Sequence, residues 1–300
     1  MKVAITTSSF AQFSHEPFRI LDEAGIGYIM NPFGRQLTED ETIDLLKGCV
    51  GVAAGTEPLS ARVINSLPEL KVISRCGVGM DNVDLSEAHK RGIAVCNTPD
   101  GPTLAVAELT LGYALDMLRK ITQMDRELRT GTWKKRMGNT LKGKKIGIIG
   151  FGRIGQAVAS VFSPLGVEIA YNDPVVEIDS YRKMSVDDLL GWADILSMHS
   201  SKSGGECSLF SKKQLLSMRK GSWVINASRG GLLDENALYD LLRSGHIAGA
   251  AIDVFEKEPY NGPLNELENV ILTPHIGSYA KESRIQMEID TVKNLIASLG

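Results

Sequence analysis

Apolar residues in this chain come in short runs, and between the runs they recur at helical spacing. Val3–Thr6, Tyr28–Met30, Val50–Ala53, Val72–Ser74 and Ala94–Cys96 read as strands. The segments between them, Pro17–Ala24, Glu39–Leu46, Ala61–Ser66 and Leu85–Arg91, read as helices. Strands that alternate with helices predict a parallel sheet covered on both faces. Pro99, Gly101 and Pro102 then break the pattern. A long helical stretch follows from Leu104 to about Arg129, with Ala105, Leu109, Leu115, Leu118 and Ile121 at roughly helical spacing, and it suits a hinge helix between two domains.

The alternation resumes with Ile146–Ile149, a helical pattern through Val158, Val161 and Phe162, a stop at Gly166, and a second run over Val167–Tyr171. Further strands fall at Ile195–His199, Trp223–Asn226, Ala248–Val254 and Val270–Leu272, with a helix capped near Asp234. The last segment, Lys281–Leu299, is amphipathic through Ile285, Ile289, Val292 and Ile296 and is expected to return to the first domain. The reading is therefore α/β, with two doubly wound parallel-sheet domains and a cleft between them. Residues 1–98 with 281–300 are expected to form a flavodoxin-like domain, and residues 99–280 a Rossmann domain.

Composition narrows the class. A length of 300 residues suits two domains, and 43% hydrophobic with 23% charged residues excludes disorder and coiled coil. A formal net charge of -3 without a basic block argues against nucleic acid as partner. No apolar run approaches membrane-spanning length, and Cys49, Cys76, Cys96 and Cys207 lack metal-ligand or C-x-x-C spacing. A cytoplasmic protein with reduced thiols and no metal is expected.

Between the strands at Ile146 and Val167 lies Gly150-Phe-Gly152-Arg153-Ile154-Gly155. A glycine makes the tight turn, a second lets backbone approach a pyrophosphate, and a third allows close helix–strand packing. Asp173, after the second strand, is placed to accept hydrogen bonds from a ribose, and no cation beside it would welcome a 2′-phosphate. NAD rather than NADP is expected. The loop Arg75-Cys-Gly77-Val78-Gly79 reads two ways: amides turned towards an anion, or a tight strand-to-helix turn. Lys134-Lys135-Arg136 is a basic loop that would ordinarily face water.

Hydride chemistry on a hydroxy or oxo acid needs a fixed cation for the carboxylate, an acid/base for the oxygen, and a group that orients that acid/base. Arg229, His275 and Glu258, each after a strand of the second sheet, supply one of each.

The chain resembles the D-isomer-specific 2-hydroxyacid dehydrogenases over nearly its whole length. The matching motifs are NTPDGPTLAVAEL at 97–109, GFGRIG at 150–155, INASRGGLLDENAL at 225–238, DVFEKEP at 253–259 and TPHIG at 273–277. The resemblance implies Arg229 as clamp on carboxylate and carbonyl, His275 as general acid/base and Glu258 as its partner. It implies substrate contacts from Arg75, Gly77, Val78, Gly79 and Arg229. Cofactor contacts are implied from Gly150, Gly152, Arg153, Ile154, Gly155, Asp173, His199, Ala227, Ser228, Asp253, His275 and Gly277, with Asp253 on the nicotinamide carboxamide. Glutamate at 258 disfavours formate dehydrogenase activity, since those relatives carry glutamine.

Within the family, ISRCGVGMDNVDL at 73–85 and WKKRMGNTLKGK at 133–144 are most similar to phosphoglycerate dehydrogenases. That likeness implies phosphohydroxypyruvate and 3-phosphoglycerate as substrates and a homodimer through 104–136. It implies phosphate binding by Lys134, Lys135, Arg136 or Arg75. No serine-feedback domain is expected after Gly300. Two stretches depart from the pattern: Ala53-Ala54-Gly55-Thr56, where a basic residue is usual, and His199-Ser-Ser-Lys202, where His-x-Pro is usual. Glyoxylate or hydroxypyruvate reductase is the alternative, and an NAD(H)-sensing corepressor-like binding protein the distant one.

Overall fold

The computed structural model describes residues 1–201 and 210–300, so Lys202 and Cys207 lie outside the described residues. The chain divides into two compact units: Met1–Pro102 with Ser278–Gly300, and Thr103–Gly277.

In the shorter unit β1 (Lys2–Ile5), β2 (Gly27–Met30), β3 (Gly51–Ala54), β4 (Val72–Arg75) and β5 (Ala94–Asn97) form one sheet in the order β2-β1-β3-β4-β5. Every pairing is parallel. Between the strands run α1 (Glu16–Glu23), α2 (Glu39–Leu46), α3 (Ala61–Asn65) and α4 (Leu85–Lys90). The starts of α2, α3 and α4 are fixed by side chains that accept orphan amides. Thr38 and Glu41 close a capping box on α2, Ser60 accepts from Val63, and Asp84 accepts from Glu87. One face of the sheet buries Ala4, Val52, Ala54 and Ile73 against Leu46, Val63 and Ile64. The other buries Val3, Ile5, Ala53 and Val72 against α1 and the last helix of the chain.

The longer unit opens with α5 (Gly101–Arg119), whose first two residues belong to the shorter one, and α6 (Ile121–Arg129). The single long helix expected over 104–129 is thus two. Lys120 sits between them at φ 56°, a left-handed conformation that ends the first helix. Asp116 accepts from the backbone amide of Thr122 (2.8 Å) and restarts the second. Then come β6 (Lys145–Ile149), α7 (Arg153–Phe162), β7 (Glu168–Asn172), β8 (Arg182–Lys183), α8 (Val186–Trp192) and β9 (Ile195–Met198). After the undescribed segment follow α9 (Lys212–Ser217), β10 (Ser222–Asn226), α10 (Glu235–Ser244), β11 (Ile247–Ile252) and β12 (Val270–Leu272). These strands form a parallel sheet in the order β12-β11-β10-β9-β6-β7-β8. Its direction of winding reverses between β6 and β9, and the glycine loop leaves the carboxyl end of β6.

The buried face of α5 is Val106, Ala107, Thr110, Tyr113, Ala114, Met117 and, as expected, Leu118. Leu115 and Ile121, expected on the apolar stripe, are instead 40% and 54% exposed. The chain returns as α11 (Lys281–Leu299), which packs Val292 and Leu295 against the shorter unit's sheet. Among the described residues no helix is long and apolar enough to cross a membrane.

Candidate active site

The three loop glycines answer to different constraints. Gly150 has φ 83°, and a Cβ there would lie 2.7 Å from Ser200 N. A Cβ on Gly155 would lie 2.2 Å from Gly150 O. Both are therefore glycine for packing reasons. A Cβ on Gly152 would meet nothing within 4 Å. The protein's own packing does not require glycine there, so the open space at the N-terminus of α7 suits a ligand that needs close backbone approach. Arg153 and Ile154 open that helix behind it. The chain's residues fit a dinucleotide at this point.

Asp173 closes the loop. Its carboxylate accepts from Phe151 N (2.7 Å), Val175 N (2.9 Å) and Val176 N (2.8 Å). Burial pushes the carboxyl up, but those amides outweigh it, and with Lys183 they hold it below the ordinary range.

Across the switch in strand order, β9 runs into His199, whose Nε2 lies 2.7 Å from Ser197 Oγ. Burial of the ring pushes this histidine down to about 3, so it is neutral at physiological pH. His199 Nδ1 and Ser200 Oγ are buried without a partner among the described residues. Two orphaned polar atoms beside Gly150 are consistent with a polar ligand at this edge.

The chemistry-bearing groups gather after β10, β11 and β12. Asn226 ties the first loop: its side-chain amide donates to Arg229 O (3.0 Å), and its carbonyl accepts from Ser228 Oγ (2.9 Å). Ala227 is buried beneath, while Ser228 and Arg229 are half-exposed. Arg229 Nη1 donates to Ser228 O (2.7 Å). A Cβ on Gly230 would lie 1.7 Å from Phe255 O, so only glycine lets this loop lie against the next.

On that next loop Glu258 accepts from Phe255 N through Oε1 (3.1 Å) and contacts His275 Nδ1 through Oε2 (2.9 Å). Burial raises the Glu258 carboxyl, but the His275 hydrogen bond, the Phe255 amide and the charges of His275 and Arg229 bring it below the ordinary range. An ionised Glu258 accepts the Nδ1 proton, which leaves His275 Nε2 to face a substrate.

His275 itself is held in an uncommon backbone state, φ 55°. Its amide donates to Asp253 O (2.8 Å), while Ile276 N and Gly277 N donate to the Asp253 carboxylate at 2.8 and 2.9 Å. Thr273 Oγ1 adds a further donor to that carboxylate at 2.6 Å. Asp253 is fully buried and anchors the turn. Its two carboxylate oxygens are thus spent on holding the 273–277 turn.

In the shorter unit Gly77 takes φ 151° and donates its amide to Thr98 Oγ1 (2.9 Å). That amide is thus engaged internally. The amides of Val78 and Gly79 have no partner among the described residues and are the pair left for an anion. Arg75 lies folded along the same loop, with Nε 3.4 Å from Asn82 Oδ1. Sequence reasoning does not single out Glu57 beside it. Glu57 is 1% exposed and accepts from Thr6 Oγ1 at 2.6 Å. Burial raises its carboxyl, more than Thr6 and the Arg75 charge lower it. An acid just after the buried small residues of β3 is the one signal the sequence offers. Arg136, expected as a phosphate ligand, is instead held by Glu127 through Nε at 2.8 and 3.0 Å. Lys134 and Lys135 remain exposed.

Residues 111–277 match the family model described as D-isomer specific 2-hydroxyacid dehydrogenase, NAD binding domain. The chain belongs to the D-isomer specific 2-hydroxyacid dehydrogenase family. Its longer unit is that family's NAD-binding domain. It is 42% identical over 258 residues to a glyoxylate reductase of Thermofilum pendens, covering 81% of this chain and 76% of that protein. It is 38% identical over 247 residues to a D-3-phosphoglycerate dehydrogenase of Archaeoglobus fulgidus, covering 79% of this chain and 47% of that protein. The chain thus spans about half the length of that relative. Among solved structures, the TT0316 protein of Thermus thermophilus superposes with a TM-score of 0.92 at 34% identity, covering 100% of this chain and 97% of that one.

Proposed function

We propose that this family member is an NAD-dependent reductase of a small, unphosphorylated 2-oxo acid of the glyoxylate or hydroxypyruvate type: 2-oxo acid + NADH + H⁺ ⇌ 2-hydroxy acid + NAD⁺. The observation that carries the reaction class is His275 Nδ1 at 2.9 Å from Glu258, close to the charge of Arg229, at the same end of the sheet as the glycine loop. When bound, the nicotinamide supplies or accepts the hydride at C2. His275 gives its Nε2 proton to the carbonyl oxygen in reduction and takes it back in oxidation. Glu258 keeps the imidazole oriented. Arg229 lies against the substrate carboxylate and the oxygen that gains charge. In the shorter unit the amides of Val78 and Gly79 are a pair suited to an anion. Asp173 faces the adenosine ribose and favours NAD over NADP.

The substrate side chain is argued from the cations. A phosphate requires committed basic groups. Arg136 is paired with Glu127, and Ala53 and Ala54 carry none. These features favour a substrate without phosphate. The phosphoglycerate reading keeps one support, the exposed Lys134 and Lys135.

We further propose a homodimer in the cytoplasm, paired through the outer side of α5 and α6. Leu104, Leu115, Ile121 and Leu128 are 40–58% exposed there, next to Trp133 and Met137 at 84% and 90%.

A substrate panel tests the assignment: NADH oxidation with glyoxylate, hydroxypyruvate, phosphohydroxypyruvate and pyruvate, repeated with NADPH. A higher kcat/KM for glyoxylate or hydroxypyruvate is expected. A clear preference for phosphohydroxypyruvate would return the chain to the phosphoglycerate reading, and no turnover of any acid would return it to the binding-protein reading.

A further inference from the structure

A tyrosine inside the longer unit has no place in the chemistry described so far. Tyr113 lies on the buried face of α5 and is 5% exposed. Its hydroxyl is 2.5 Å from Thr273 Oγ1 and 3.3 Å from Asp253 Oδ1. Thr273 has one hydroxyl proton, and the 2.6 Å contact to Asp253 Oδ1 uses it. Tyr113 is therefore the donor to Thr273, and the protons run in one direction, from tyrosine to threonine to carboxylate. The same carboxylate receives Ile276 N and Gly277 N, on the two residues that follow His275. Burial raises the Tyr113 phenol, which keeps it a donor throughout the working pH range.

A buried phenol within an apolar cluster that includes Val106, Ala107 and Met117 is a costly choice for packing alone, since phenylalanine would fill the same volume without a polar group to satisfy. The turn it reaches carries His275 at φ 55°, a backbone state that survives only when its surroundings over-determine it. Gly277 lies against the same helix, where a Cβ would come 3.3 Å from Val106 Cγ2.

We infer that Tyr113 is a positioning residue: through Thr273 and Asp253 it fixes the 273–277 turn so that His275 stays aligned on Glu258. The inference rests on His275 being the acid/base. Without the phenol hydroxyl the turn gains freedom, and the imidazole spends part of its time away from the geometry that proton transfer needs.

The test is Tyr113→Phe, with Thr273→Val and His275→Ala beside it, on the full chain. Tyr113→Phe is expected to lower kcat about three- to tenfold, the size of one hydrogen bond. KM for the 2-oxo acid and NADH affinity by fluorescence titration should stay within about twofold, comparable to ordinary context effects. The solvent deuterium isotope effect on kcat should rise, because proton transfer becomes slower relative to the other steps. Thr273→Val should show the same pattern, and the double variant should fall short of the two single effects combined, since both hydroxyls act on the one Asp253 carboxylate. If kcat falls only in proportion to the NADH-binding sites lost, with the isotope effect unmoved, the residue is structural and the inference is overturned. Additive effects in the double variant overturn it as well. The His275→Ala variant separates the two claims. Substantial turnover there removes the acid/base reading itself, whereas a dead His275→Ala beside an unaffected Tyr113→Phe removes only the tyrosine.

Discussion

Two carboxyls show how burial and partners decide a residue's task. Glu258 is partly exposed and has an imidazole, an amide and a guanidinium around it, so it stays ionised. Removing its charge while keeping its shape, in Glu258→Gln, should lower kcat about tenfold or more, because His275 Nδ1 loses its charged partner. Steady-state turnover checks this, and an unchanged kcat would make Glu258 a structural residue. Glu57 is the opposite case, an acid enclosed by its own unit. Its folded-state carboxyl titrates above the unfolded value of about 4.3. Between those two values the folded chain holds a proton that the unfolded chain has released, so stability falls as pH rises through that window and is level above it. Glu57→Gln does not titrate and can keep the Thr6 contact. Its melting temperature relative to the parent should therefore improve as pH rises from about 4.5 and then level off, as read by thermal unfolding in matched buffers. A constant difference would mean that Glu57 does not titrate in this way.

At the scale of elements, the strands and most helices are legible because apolar runs and caps agree. Thr38 with Glu41, Asp234 with Ala237, and Gly166 at φ 72° are local signals that tertiary packing does not override. The α5–α6 region misleads a sequence reading for a physical reason. Leu115 and Ile121 fit a helical stripe as well as Val106, Thr110 and Tyr113 do, and hydrophobicity alone favours the leucine and isoleucine. Buried threonine and tyrosine are there for their hydrogen bonds, which a hydrophobic pattern cannot register. The motifs around Arg229, Glu258 and His275 are visible because their residue types are chemically unusual after strands. Glu57 and Tyr113 are not, because the partners of each are distant in sequence. The leftover apolar side of α5 and α6 carries its own prediction. Leu128→Asp should convert a dimer to a monomer in sedimentation velocity with the circular dichroism spectrum retained. A parent protein that already sediments as a monomer would rule out the pairing.

For the whole molecule, the most consequential feature is that the shorter unit is built from both ends of the chain. Ser74 Oγ donates to Thr291 O (2.7 Å) across 217 positions, and Val292 and Leu295 complete the face formed by Val3, Ile5, Ala53 and Val72. No local sequence signal records that pairing; only the spare amphipathic face of α11 hints at it. Synthesis on the ribosome runs from the amino terminus, and domains generally fold as units while they emerge. The five strands of the shorter unit leave the exit tunnel early, with one face still lacking its cover. The longer unit, continuous over Thr103–Gly277, has all of its parts first. The unit whose strands are translated earlier is thus completed later, and a nascent chain stalled before Ser278 should present a folded nucleotide domain together with an open sheet that chaperones would recognise.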